Sequence, residues 1–352
     1  MKDRELWGDI ARGICIILVI IRHIDVYTDV TNVITWFVIP AFFIISGYFF
    51  KPLENKAALV SWLKKRAGRL LIPYFTFLML LSLLVIVLQS MHVSLATTSE
   101  FNLANIILGG STLPGIMLHL WFIPVLFMTQ GVFALLIYKL KTPMKCLIPI
   151  AIAYIVAHIE SWLVFDQSYP IYVPFGADLV LLSLSFCAFG FYAKSIIGTP
   201  KRSTLLVSGA FIAAMITLNM LGVFEYTLSM IALQYTNPVL DIVMPVVMTL
   251  FVIQCSHIVV NMSRAKDLFV IIGKNSLVIY ILSRVVYGSF IVLLTMLFKS
   301  DISTSIYIII VGILLAIIIP LIVGVSIINR YKITRILFAG QYEGLKAKKS
   351  EQ

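Results

Sequence analysis

The stretch Leu70-Leu71-Ile72-Pro73-Tyr74-Phe75-Thr76-Phe77-Leu78-Met79-Leu80-Leu81-Ser82-Leu83-Leu84-Val85-Ile86-Val87-Leu88-Gln89-Ser90 decides the fold, because it follows the basic run Lys64-Lys65-Arg66-Ala67-Gly68-Arg69 and carries no charge at all. A helix needs about 20 predominantly apolar residues to cross the hydrocarbon core of a bilayer. Working outward from 70–90, nine further stretches meet that description: 7–27, 33–50, 120–138, 145–164, 178–194, 204–222, 239–260, 275–297 and 304–328. The apolar segment 226–235 is too short to span and is expected in an outer loop, lying on the surface. The whole chain agrees. Of its 352 residues 61% are hydrophobic and 12% charged, where soluble proteins carry about 25% charged residues, and the mean hydropathy is +1.02. The sequence predicts an all-α integral membrane protein of about ten transmembrane helices. Residues 1–330 are expected to form a single membrane domain and 331–352 a short basic tail.

A net charge of +11 would point a soluble protein toward nucleic acid. Here all but three of the 27 Lys and Arg fall between spans in alternation, which argues against that partner and reads as the positive-inside rule. With the N-terminus in the cytoplasm, only Lys299 falls outside, and Arg12, Arg22 and Arg284 fall within spans. Both chain ends are then cytoplasmic. The outer loops carry His92, Glu100, Asp166, Glu225 and Asp301, and the longest runs over about 91–119. Lys2 and Arg4 ahead of an apolar run imitate a signal peptide, but that run is long and charged and has no small-x-small cleavage site, so it is expected to stay as the first helix. Cys15, Cys146, Cys187 and Cys255 form no CxxC pair, so neither a disulfide framework nor a metal site is expected. No internal repeat or low-complexity segment appears.

Ionisable groups inside a span are costly and face a bundle interior or a water cavity. The first span holds Asp9, Arg12 and His23. Asp9 and Arg12, three apart, are close enough to pair. Arg12 and His23, eleven apart, lie on nearly one face, separated by about 16 Å along the axis. A structural ion pair with a hydrogen-bonded histidine is one reading and a functional set the other. Arg22 lies on a different face, near enough to the outer surface to snorkel. Arg66-x-x-Arg69, at a helix start, suits a phosphate group, and equally suits a plain topology signal. Ser46 and Gly47 permit close helix packing, with Tyr48 as an interfacial aromatic. His119 and Trp121 begin the fourth span, where Trp121 would serve stacking or packing equally. Arg284, within the run Gly273-x-x-Ser276-Leu277-x-Ile279-Tyr280-x-x-Ser283-Arg284, requires a partner or a cavity. Asp178 and Asp241 are either site acids or helix-start residues.

Taken in order, Asp9-x-x-Arg12-Gly13 with His23 in an Arg-x10-His spacing, Phe43-x-x-Ser46-Gly47-Tyr48, Arg66-x-x-Arg69 before Pro73-Tyr74, His119-x-Trp121-Phe122 and the Gly273–Tyr280 run resemble the acyltransferase-3 family of bacterial membrane proteins. The His119 motif is similar to that of the fucose-4-O-acetylase-like members. Where many relatives carry a histidine after the late Ile-Tyr, this chain has Leu282-Ser283-Arg284. The resemblance implies an O-acyltransferase of the bacterial plasma membrane that moves an acetyl or similar acyl group from cytoplasmic acetyl-CoA, or another acyl-CoA, to a hydroxyl of a surface glycan or glycolipid. It implies His23 and Arg12 as catalytic residues and Arg66 and Arg69 as holders of the CoA phosphates. Asp9, Ser46 and Tyr48 would give support, and His119 and Trp121 would contact the acceptor. No permanently bound cofactor is implied, and polysaccharide-synthesis proteins are the expected partners. On helix count and buried charge alone, an exporter of polysaccharide or small molecules fits as well, although no repeated halves accompany it.

Overall fold

Lipid offers backbone N–H and C=O groups no partner, so a spanning chain must satisfy them within helices. The computed structural model describes residues 6–23, 29–90, 102–167, 173–298 and 306–340. The helices are α1 (Leu6–Arg22), α2 (Asp29–Thr35), α3 (Val38–Phe49), α4 (Lys56–Ser90), α5 (Leu103–Leu108), α6 (Phe122–Leu140), α7 (Pro143–Gln167) and α8 (Leu179–Tyr192). They continue with α9 (Lys194–Ile197), α10 (Arg202–Met220), α11 (Leu240–Val259), α12 (Ser263–Lys274), α13 (Ser276–Phe298), α14 (Ile306–Ile322) and α15 (Lys332–Ala339). Nine helical stretches among the described residues are long and apolar enough to cross a membrane, with α2 and α3 counting together as Thr31–Phe49. The remaining expected span is α1, whose 17 residues stand at the short end of spanning length. The part of that expectation over 24–28 lies outside the described residues, as do Lys2, Arg4, His92, Glu100, Lys299, Asp301, the tail beyond 340 and the side chain of Asp166.

The structure departs from the sequence reading in four places. First, α4 begins at Lys56, not Leu70, because Asn55 caps it by accepting from the Ala58 amide at 2.9 Å. Its 35 residues rise about 52 Å, far more than the ~30 Å hydrocarbon core, so the basic Lys64–Arg69 segment is mid-helix and not a helix start. Second, the connection expected after 260 contains α12. Third, 226–235 is a folded hairpin of β1 (Leu228–Ser229) and β2 (Gln234–Tyr235), with Tyr226, Leu228 and Met230 buried. Fourth, the basic tail starts with α15, which packs on α4. The Phe338 and Phe77 rings meet at 5.2 Å, and Gly340, at φ +59°, presses against the Arg69 carbonyl.

The chain divides into two compact units. The first comprises Met1–Leu53, Met128–Ile171 and Ala177–Ser276. Glycines set its helix crossings. A Cβ on Gly47 would stand 1.9 Å from the Cys187 carbonyl oxygen, and one on Gly190 would stand 1.9 Å from the Ile44 carbonyl oxygen, so α3 and α8 touch backbone to backbone. α1 and α12 meet likewise: a Cβ on Gly273 would lie 1.8 Å from the Asp9 carbonyl oxygen and one on Gly13 2.6 Å from that of Phe269. The second unit comprises Glu54–Phe127, Tyr172–Gly176 and Leu277–Gln352. There α4 carries α15 and the 3-10 turn Gly115–Trp121, and a Cβ on Gly312 of α14 would meet the Tyr287 ring of α13 at 2.7 Å.

Gly47→Ala is expected to push α3 off α8 and cost about 1–3 kcal/mol. Thermal unfolding of detergent-purified protein checks this, with lipid-facing Leu206→Ala, at 66% exposure, expected to change nothing measurable.

Candidate active site

In the first unit the site begins on α1. The Arg12 guanidinium donates from Nη1 to Oδ1 of Asp9 at 2.9 Å, with Asp9 2% and Arg12 29% exposed. One turn of helix brings them together, as their spacing required. The Arg12 guanidinium also stands 5.2 Å over the Phe49 ring, a cation–π contact that favours the charged form in an apolar setting. Trp7 packs on Phe49 in turn, with ring centroids 4.8 Å from Tyr48, 5.5 Å from Phe49 and 5.2 Å from His257. Tyr48 is thus a member of an aromatic cluster, and its hydroxyl abuts Gly198. His23 follows the last residue of α1, is exposed, and bonds through its backbone to Val19 and Ile20. The helix holds it about 16 Å along the axis from Arg12, so the structure does not bring those two side chains together.

Ser46 is bound from α6, with Gln130 Nε2 donating to its Oγ at 2.5 Å. Gln130 is 5% exposed, and its other amide atom has no hydrogen-bond partner. This residue went unnoticed in the sequence, although a lone glutamine within the apolar run 120–138 was the available signal.

The second unit holds the remaining candidates. Arg66 and Arg69 lie one turn apart on α4, with Arg66 half-buried 5.4 Å from the Trp62 ring and Arg69 exposed. His119, 4% exposed, sits in the 3-10 turn before α6 with its ring 5.7 Å from that of Tyr280. Phe122 contacts the same Tyr280 ring at 5.7 Å, and Trp121 packs on Phe122 at 6.1 Å. Two sequence motifs far apart in the chain therefore share one aromatic cluster. Trp121 is 6% exposed, which favours packing over an open stacking platform. Ser283 donates to the Tyr280 carbonyl of its own helix at 3.2 Å and is buried. Among the described residues no three His, Cys, Asp or Glu side chains gather into a metal site.

Asp241 and Asp178 take different roles. Asp241 is fully buried and accepts from the Tyr226 hydroxyl at 2.7 Å, the Asn237 amide at 3.1 Å and His158 Nε2 at 3.0 Å. It locks the hairpin connection to α7. Burial, reinforced by the Asp241 charge, holds the Tyr226 phenol above its ordinary range, so it stays a donor. Neither His158 nor Tyr226 was singled out from sequence, because neither falls in a recognisable spacing. Asp178 lies at the start of α8 with one carboxylate oxygen lacking a partner.

A family model described as an acyltransferase domain matches residues 5–325. No curated protein and no solved structure matches the chain.

Arg12→Ala is expected to strand the buried Asp9 carboxylate, while Asp9→Ala combined with Arg12→Ala recovers part of the loss. A double-mutant cycle by thermal unfolding should give a coupling of about 1–3 kcal/mol; additive losses would show that the pair does not act as a unit.

Proposed function

The chain belongs to the acyltransferase-3 family and is a multi-pass membrane acyltransferase, and from that premise we propose that it moves an acetyl or similar acyl group from cytoplasmic acyl-CoA to a hydroxyl of a bacterial surface glycan or glycolipid. What supports this reading most is the Asp9–Arg12 pair, a salt bridge taken into the first helix of the matched domain. An ion pair inside a membrane helix is weak support for stability, because desolvation offsets the Coulombic gain. Its presence asks for another use of Arg12.

In the proposed mechanism Arg66 and Arg69 hold the CoA phosphates, because guanidinium groups one helical turn apart on α4 can share an anion. His23 removes the proton of the acceptor hydroxyl, and an imidazole suits this because it titrates near neutrality. The hydroxyl oxygen attacks the thioester carbonyl, the C–S bond breaks, and CoA leaves as the thiol. Arg12, oriented by Asp9, orients the donor from further along α1. Ser46 and Tyr48 support the Arg12 end of the site through Gln130 and Trp7. His119 contacts the acceptor, with Trp121 holding the turn on which it sits. The enzyme works in the plasma membrane with acyl-CoA as co-substrate and no resident cofactor, beside the proteins that assemble the glycan.

His23→Ala should reduce turnover about 10²–10⁴-fold while expression and membrane insertion stay normal, read as release of free CoA thiol in the presence of glycan. Arg66→Ala should raise the donor KM about tenfold or more with little change in kcat. Full turnover in the His23 variant would overturn its assignment. An unchanged donor KM would reduce the α4 arginines to a topology signal.

A further inference from the structure

Besides the pair on α1, the first unit buries a second polar cluster, where α7, the start of α8 and the 228–235 hairpin meet. The hairpin is fastened to α7 through Ser161, which donates to the Leu233 carbonyl at 2.6 Å and accepts from the Tyr235 amide at 3.0 Å. Tyr154 adds a hydroxyl bond to the Pro238 carbonyl. His158 places Nδ1 2.9 Å from the Tyr154 carbonyl and Nε2 on Asp241, so both ring nitrogens face acceptors and its hydrogen-bonding capacity is committed. Both oxygens of Asp241 are engaged, by three donors in all.

Three oxygens at this junction remain unused. Glu160 Oε2 of α7, Asp178 Oδ1 at the start of α8 and the Tyr235 hydroxyl of β2 are shielded from solvent and have no hydrogen-bond partner. Tyr235 is bonded through its amide to Ser161, the neighbour of Glu160, and α7 packs on α8, which Asp178 immediately precedes. Burial first, and then the charges of Asp178, Glu160 and Asp241, hold the Tyr235 phenol well above its ordinary range, so it keeps its proton. One O–H donor and two carboxylate acceptors thus share a junction without bonding to each other. Buried polar groups in native proteins are nearly always satisfied, and a stranded one costs about 1–3 kcal/mol.

We propose that Glu160, Asp178 and Tyr235 form a binding subsite for the hydroxyl groups of a saccharide. The donor–acceptor balance selects this chemistry. A hydroxyl accepts from the phenol and donates to a carboxylate, and a sugar ring offers several at once. An ammonium group cannot accept from Tyr235. An anion cannot donate and is repelled by two carboxylates. A transition metal would need more ligands than the described residues gather here. That the bound saccharide is the acyl acceptor rests on the function proposed above; the subsite itself does not. The same chemistry could come from water alone, and the experiment separates the two.

The full chain in nanodiscs is titrated with oligosaccharides released from a bacterial surface glycan, and binding is read for wild type, Tyr235→Phe, Asp178→Ala and Glu160→Ala. Tyr235→Phe keeps the ring and the backbone bond to Ser161, so the unliganded unfolding temperature is expected to stay unchanged. Each variant should bind about fivefold to tenfold more weakly. Equal binding by wild type and variants would overturn the proposal and leave the cluster holding water only. Absence of binding to wild type would overturn it as well. Binding that depends on these residues, with no acyl transfer to the bound glycan, would sink the proposed transfer reaction and leave the subsite standing.

Discussion

The first unit is organised by the need to carry a charged pair inside an apolar helix. Asp9 is nearly inaccessible, and a carboxylate there is tolerable only beside a fixed cation. Arg12 supplies that charge from the same helix, and the ring of Phe49 faces its guanidinium. The close approach of α12 completes the enclosure, because Gly273 has no side chain to hold the backbone away from the Asp9 carbonyl. The two motif glycines, Gly13 and Gly273, are therefore steric conditions for burying the pair. The aromatic cluster then has a plain purpose: Phe49 gives Arg12 an apolar, polarisable wall, and Trp7 and Tyr48 pack against Phe49.

A second principle runs through the first unit: polar groups are placed where two elements meet and are used to join them. Gln130 ties α6 to Ser46, Asp241 ties α11 to α7 and the hairpin connection, and Ser161 ties α7 to the hairpin itself. Such bonds help specify one arrangement of helices where lipid gives little hydrophobic incentive to pack. Against that background Glu160 Oε2, Asp178 Oδ1 and the Tyr235 hydroxyl stand out, since they lie at a junction and have no hydrogen-bond partner. The Asp9–Arg12 pair differs from the joints in another way, because it lies within one helix and holds no two elements together.

The spans were legible in the sequence because length and hydropathy act locally: a run such as 70–90 has few alternatives to a membrane helix. The Asp9–Arg12 pair was legible for the same reason, since helical geometry alone puts residues three apart within reach. The true start of α4 was missed because the charged stretch before Leu70 reads as a loop, although the cap at Asn55 and the helix formers after it were present. The hairpin and α12 were missed because short or amphipathic elements between spans draw their stability from tertiary contact. The partners of Asp241 could not be read at all, since His158 and Tyr226 reach it only through folding. The meeting of His119 with Tyr280 is of the same kind: each motif was visible, their contact was not.

The central claim is that the chain transfers an acyl group and does not merely carry a glycan across the membrane. The most direct measurement reconstitutes purified protein in vesicles, supplies acetyl-CoA labelled in the acetyl group to each side in turn, and follows both label and glycan. Label is expected to become covalently attached to glycan in step with release of CoA thiol. Glycan that crosses the vesicle membrane unlabelled, with acetyl-CoA untouched, would contradict it.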